Sequence, residues 1–313
     1  MICSDMSEKI FDTVVIGGGP AGYTAALYAV RAGLTCLVIE RLAAGGQMCE
    51  TVHIDNYPGY PETVDGFTLG ETMQRGAARF GAETAFEEVT AVRLDTPVKE
   101  ITTAGGNFLA RTVIVATGAT HRHLGLAREE ALVGRGVGYC ATCDGSFYRG
   151  KRVAVVGGGN SAVADALYLA GLCESVTLIH RRDTLRAARV YEKGLEKATG
   201  ISIRFDSEVS ALLGEQRLTG VTVRNKKTGK VEDLPLDGLF ISIGRDPVTA
   251  LFKGVLTLDG AGYIVAGEDT KTNLAGVFAA GDVRTKPLRQ IVTATADGAV
   301  AAEAAAAYLS ALS

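Results

Sequence analysis

A β-branched run that empties into a glycine-rich turn occurs twice in this chain. The first copy reads Thr13-Val-Val-Ile-Gly17-Gly-Gly19-Pro-Ala-Gly22, and the second reads Arg152-Val-Ala-Val-Val-Gly157-Gly-Gly159-Asn-Ser-Ala162. A helix-like stretch follows each turn, from Ala21 to Ala32 and from Ala162 to Gly171, and then a second apolar run, Cys36 to Ile39 and Val176 to Ile179. The residue after that run is Glu40 in one copy and His180 in the other, at the same distance from the first glycine. The match therefore covers a whole β-α-β unit, and the chain is predicted to be α/β with two Rossmann-like dinucleotide-binding domains.

The glycine spacing has a physical reason. The first glycine allows the tight turn, the second lets a pyrophosphate approach the backbone, and the third, or alanine, lets helix and strand pack closely. The helix N-terminus then offers free N–H groups and the positive end of its dipole to the phosphates. One such turn could be a plain chain reversal. Two with matched flanking strands point to two nucleotide sites, with Gly17, Gly19, Pro20, Ala21 and Gly22 in the first and Gly157 and Gly159 in the second.

The strand ends predict different nucleotides. A carboxylate such as Glu40 can accept hydrogen bonds from ribose hydroxyls, but it would repel a 2′-phosphate. The second unit instead places His180, Arg181, Arg182 and Arg186 there, and guanidinium groups bind phosphate oxygens, often in bidentate fashion. A solvated basic patch is the plainer reading of an Arg-Arg pair, but its position at the strand end favours NADPH. By elimination the first site takes another dinucleotide, and features outside the second unit agree with FAD: Gly45-Gly46-Gln47, the strand and turn from Val113 to Thr117 and Gly118, and Gly276 to Gly281 and Asp282. Asp282 could hydrogen-bond a ribityl hydroxyl, or act as a helix cap or turn residue.

If the flanking parts both serve FAD, the middle is an insertion. The expected division is residues 1–119 with 245–313 for FAD and 120–244 for NADPH, with hinges near 118–122 and 243–248. A length of 313 residues suits two domains. A formal charge of −3 gives no reason to expect a nucleic-acid partner. The first residues lack the basic start and apolar run of a signal peptide. No window reaches the roughly 20 apolar residues of a membrane helix, since Asp297 and Glu303 break the Ala-rich tail. A cytoplasmic protein without membrane contact is expected.

Of the six cysteines, Cys3, Cys36, Cys49 and Cys173 are scattered, while Cys140 and Cys143 form a Cys-x-x-Cys just ahead of the second unit. A zinc site would need two further ligands, and the histidines at 53, 121, 123 and 180 are dispersed, so no metal is expected. Two inert apolar cysteines are possible. A redox pair fits a reducing compartment better, since residues at i and i+3 on a helical turn can bring both sulfurs to one side. Asp144 is a candidate acid/base for the released thiolate, or simply part of an Asp-Gly turn.

With these residues in place, the chain resembles the low-molecular-weight bacterial thioredoxin reductases over nearly its whole length. The resemblance rests on Gly17 to Gly22, Gly45 to Gln47, Asp55-Asn-Tyr-Pro-Gly59, Ala116 to Gly118, Cys140 to Gly145, Gly157 to Ala162, His180 to Arg182 with Arg186, Gly281-Asp282 and Arg289-Gln290, all in the family's order. It implies a homodimer that passes electrons from NADPH through FAD to the Cys140–Cys143 disulfide and on to thioredoxin or a similar small protein. It also implies that the inserted domain rotates between two states. By the same resemblance Gly46, Gln47, Asn56, Asp282, Arg289, Gln290 and Ile291 are expected to touch FAD. Asn160, Ser161, His180, Arg181 and Arg186 are expected to touch NADPH. Two departures stand out: Val248 where the family usually has Asn, which predicts a missing polar contact near the second hinge, and His53 where an acid is common.

Overall fold

The computed structural model describes residues 9–51 and 54–312. Cys3 and His53 lie outside the described residues. Contacts divide the chain into two units, one made of the residues up to Thr120 together with those from Asp246 onward, the other of His121–Arg245.

The first unit begins with β1 (Ile10–Ile16), α1 (Pro20–Arg31), β2 (Cys36–Glu40), α2 (Gly66–Ala78), β3 (Glu83–Phe86), β4 (Val89–Arg93), β5 (Lys99–Thr103) and β6 (Gly106–Val115). The chain crosses along β7 (Ala119–His121) into β8 (Val137–Gly138), α3 (Ala141–Asp144), β9 (Arg152–Val156), α4 (Asn160–Ala170), β10 (Ser175–Ile179), α5 (Arg189–Lys197) and β11 (Ile201–Arg204). Next come β12 (Ser207–Leu213), β13 (Gly220–Asn225), β14 (Val231–Pro235) and β15 (Gly238–Ile241). It returns along β16 (Arg245–Pro247) and ends with β17 (Val277–Ala279) and α6 (Ile291–Ser310).

In the first unit the strands lie in the order β3-β2-β1-β6-β5-β4, with β17 also on β6. The pairs around β1 are parallel, while β4, β5 and β6 form an antiparallel edge. The second unit holds a parallel sheet, β11-β10-β9-β15-β8, and an antiparallel meander, β12-β13-β14. The central strands are buried on both faces, which is why Val14, Val15, Val155 and Leu178 read as unbroken apolar runs.

The Ala-rich tail is a packing device. α6 buries Ala301, Ala302 and Ala305 in the same core as Ala21, Ala25 and Ala29 of α1. A Cβ on Gly298 would stand 2.2 Å from the Ala21 carbonyl oxygen, so the helices touch backbone to backbone there. No described helix is long and apolar enough to cross a membrane.

Several elements were not legible beforehand. α2 is interrupted in sequence by Gly66, Gly70 and Gly76, yet Asp65 caps it through a bond from the Thr68 N–H at 2.9 Å. The meander strands alternate charged and apolar residues around a Lys-rich turn. At the second crossing the main chain of Val248 is paired, its N–H donating to the Gly118 carbonyl at 3.0 Å and its carbonyl accepting from the Thr117 hydroxyl at 2.7 Å. The Val248 side chain is exposed.

Candidate active site

The two glycine turns solve the same geometric problem. Gly17 has φ +108°, and a Cβ there would stand 2.4 Å from the Ala116 carbonyl oxygen; at Gly157 it would stand 2.3 Å from that of Ser242. These glycines are fixed by strand packing and by backbone conformation. The second glycine differs in kind. A Cβ on Gly19 would approach nothing described more closely than the Gly45 carbonyl at 3.8 Å, and one on Gly159 would meet no described atom within 4 Å. No described neighbour demands glycine at either position, so the open space above each turn suits a ligand's pyrophosphate. Both α1 and α4 start without a side-chain cap; Pro20 brings no N–H at the head of α1, and the uncapped N–H groups that follow it, like those of α4, are of the kind a phosphate can use.

The middle glycines, Gly18 and Gly158, were not singled out from the sequence, and the structure gives them a reason. The Glu40 side chain lies across Gly18, where a Cβ would meet it at 2.9 Å, and its Oε2 accepts from the Gly18 N–H at 2.6 Å. The His180 ring lies across Gly158, with its nearest atoms 2.2 Å from a Cβ position. The strand-end residue thus rests on its own turn in both units. His180 is buried and its Nε2 sits 3.0 Å from the Thr184 carbonyl. Burial lowers its pKa, opposed by the Thr184 contact and helped by Arg186, Arg182 and Arg181, so the ring is neutral and donates to that carbonyl.

Arg181, Arg182 and Arg186 are exposed, and none of them pairs with a carboxylate among the described residues. Their loop is tied back to the second turn, because the Arg186 N–H donates to the Gly158 carbonyl at 2.7 Å and the Ala188 N–H to Asn160 Oδ1 at 2.7 Å. Asn160 therefore holds the arginine loop in place, and Ser161 beside it is exposed at the start of α4.

In the first unit the Gly45 N–H donates to the Gly18 carbonyl at 2.7 Å, which brings Gly46 and Gln47 beside the first turn. Asn56 donates through Nδ2 to Gln290 Oε1 at 3.1 Å, joining residues far apart in sequence. Gln290 also opens α6 through a capping box with Thr293, and Ile291 is the first residue of that helix. The Arg289 guanidinium lies 3.9 Å over the Tyr263 ring and donates through Nε to the Asp282 carbonyl at 3.3 Å. Thr117, expected at the nucleotide, spends its hydroxyl on Val248, while Gly118 turns the chain at φ +73°.

Cys140 and Cys143 form a disulfide with Cα atoms 5.2 Å apart. Cys140 precedes the helical turn as the N-cap of α3, and its carbonyl accepts from the N–H groups of Cys143 at 3.2 Å and Asp144 at 3.1 Å. Asp144 Oδ2 lies 3.0 Å from a Cβ position on Gly138. Burial, then Asp144 and Asp237, push the Tyr148 hydroxyl up to about 12. Sequence reasoning missed Glu129, which looks like one of two acids opening a short helix. Its buried carboxylate accepts from the N–H groups of Leu124, Gly125 and Leu126 and, at 2.7 Å, from the hydroxyl of Tyr139, the residue before Cys140. Burial alone would raise that carboxyl, but these donors hold it below its usual range. No group of three or more potential ligands is placed to hold a metal among the described residues.

Residues 11–298 match the model of the pyridine nucleotide-disulphide oxidoreductase family. A thioredoxin reductase of Streptomyces coelicolor is 48% identical over 98% of this chain and 96% of its own length. One of Treponema pallidum is 45% identical over 97% and 99%. The chain belongs to the thioredoxin reductase family. The crystal structure of thioredoxin reductase from Streptococcus pyogenes superposes with a TM-score of 0.91 at 41% identity, covering 97% of this chain and all of that one. Thioredoxin reductases of this family contain FAD and use NADPH, and the chain is accordingly a flavoprotein disulfide oxidoreductase.

Proposed function

We propose that the protein is an NADPH-dependent thioredoxin-disulfide reductase whose oxidised substrate is thioredoxin or a thioredoxin-like protein. The observation that carries this reading is the Cys140–Cys143 disulfide on a short helix that leads directly into the second nucleotide-type unit. When bound, NADPH supplies a hydride and FAD relays its two electrons to a disulfide.

In this reading residues 1–119 and 245–313 hold FAD, and 120–244 hold NADPH and carry the redox pair. Gly17, Gly19, Pro20, Ala21 and Gly22 give the first pyrophosphate its backbone cradle, and Glu40 accepts from ribose hydroxyls. Gly46, Gln47, Asn56, Thr117, Gly118, Gly281, Asp282, Arg289, Gln290 and Ile291 complete the FAD site. Gly157, Gly159, Asn160 and Ser161 form the second cradle, His180 shapes it, and Arg181, Arg182 and Arg186 read the 2′-phosphate.

Two electrons and two protons open the Cys140–Cys143 bond to two thiols, Asp144 serving as a proton carrier beside Cys143. One sulfur, as thiolate, attacks the partner's disulfide, forming a mixed disulfide and releasing the partner's other sulfur as thiolate. The second cysteine attacks the mixed disulfide, Cys140–Cys143 re-forms, and the partner leaves as a dithiol. The enzyme works as a homodimer in the cytoplasm, with neither nucleic acid nor membrane as a partner.

The test is NADPH oxidation by the FAD-loaded protein with and without oxidised thioredoxin, set against NADH and reduced ferredoxin as donors. Thioredoxin-dependent NADPH consumption that falls to background in Cys140→Ser is expected. Oxygen uptake driven by a small dithiol without NADPH, or full activity in Cys140→Ser, would overturn the reading.

A further inference from the structure

The segment from Gly281 to Ile291 contributes five of the residues placed at FAD, yet it is mostly irregular loop. Its shape is set from one point. Asp297, buried in the second turn of α6, accepts at Oδ2 from the Gly281 N–H at 2.9 Å, from Arg284 Nε at 2.8 Å and from Lys286 Nζ at 2.7 Å. Its Oδ1 accepts from Arg284 Nη2 at 2.7 Å. One carboxylate thus grips the loop at its first, fourth and sixth residues.

The grip extends through the same residues to the far end of the loop. Arg284, itself 2% exposed, offers its carbonyl to Arg289 Nη2 at 3.2 Å, and Arg289 Nε closes the ring on the Asp282 carbonyl at 3.3 Å. Lys286 adds a bond to the Thr293 carbonyl at 3.1 Å on the first turn of α6. Burial alone would raise the Asp297 carboxyl, but Arg284 and Lys286 hold it below its ordinary range, so it is ionised and paired. Around it stand the two buried cations and, at 3.5 Å from Arg284, the largely exposed Glu268. A carboxylate is required here, because an amide would turn N–H groups toward two buried cations whose one other neighbouring anion, Glu268, reaches only Arg284 and is largely exposed.

We infer that Asp297 is a positioning residue for FAD, acting through Arg284 and Lys286 to fix the Gly281–Ile291 loop in its binding shape before the cofactor arrives. The inference rests on the assignment of that loop to FAD. It concerns residues of the first unit alone.

Apoprotein is reconstituted with FAD and the dissociation constant measured for the unmodified chain and for Asp297→Asn, Lys286→Met and Asp282→Ala. The melting temperatures of apo and FAD-loaded forms and the affinity for NADPH are recorded alongside. Asp297→Asn is expected to weaken FAD binding about tenfold or more and to narrow the gap between the apo and loaded melting temperatures, with NADPH affinity unchanged. Lys286→Met, which leaves the Arg284–Asp297 pair intact, should show a smaller loss, on the order of threefold, and serves as the test should Asp297→Asn fail to fold. If Asp282→Ala weakens FAD binding while Asp297→Asn and Lys286→Met leave it unchanged, or lower both melting temperatures equally, the positioning role is wrong. If Asp282→Ala is silent as well, the assignment of the loop to FAD is what fails.

Discussion

The two glycine turns are built alike and differ at two places, the third glycine position and the strand end. At the third glycine position the first unit has Gly22, where a Cβ would stand 1.9 Å from the Gly17 carbonyl oxygen; the second unit has Ala162, whose Cβ fits beside Gly157. Helix and turn are therefore closer together in the first unit. At the strand end Glu40 meets its turn through a charged hydrogen bond, whereas His180 meets it through a buried neutral ring and leaves charge to the arginines that follow. In the proposed reading, a shared backbone recipe fixes that a dinucleotide binds, and the strand-end side chains decide which one.

The largest expected effect separates the third positions. Gly22→Ala drives a methyl into backbone and should cost about 3 kcal/mol, read as loss of bound flavin and a lower melting temperature. Ala162→Gly should cost about 1 kcal/mol of helix propensity and leave NADPH affinity unchanged. Equal tolerance at both places would erase the first difference. A smaller effect is expected at the strand end: Glu40→Gln keeps an acceptor for the Gly18 N–H but weakens the ribose bonds, lowering FAD affinity about fivefold with no change toward NADPH.

The smallest effect concerns pH. His180 has a folded pKa below its ordinary 6.5, so the unfolded chain binds the extra proton first. Its contribution to stability is present above pH 6.5 and is lost as pH falls below it. Between pH 7 and pH 5.5 the second unit should lose on the order of 2 °C in melting temperature, and His180→Asn should flatten the curve. An unchanged slope in that variant would mean the ring is not what titrates.

Much of this was legible in the sequence because glycine turns and strand-end charges act locally. Gly17, Gly19, Glu40 and the arginines announce themselves within one β-α-β unit, and Cys140 and Cys143 within four residues. What was hidden depends on distant partners. Gly18 and Gly158 stand at unconstrained positions of the motif and become necessary only when the second strand lays Glu40 or His180 across them. Glu129 and Asp297 look like ordinary helical acids, and their value appears once Tyr139, Arg284 and Lys286 fold onto them. Asp297 in particular had registered only as a break in an apolar tail.

The central claim is that the residues following the second strand, not the glycine turn itself, select the nucleotide. Titration of the FAD-loaded protein with NADPH and NADH, before and after Arg181→Ala with Arg186→Ala, tests it most directly. The account predicts a clear preference for NADPH that falls about tenfold or more in the double variant, with NADH affinity almost unmoved. Equal losses for both nucleotides, or no preference to begin with, would contradict it.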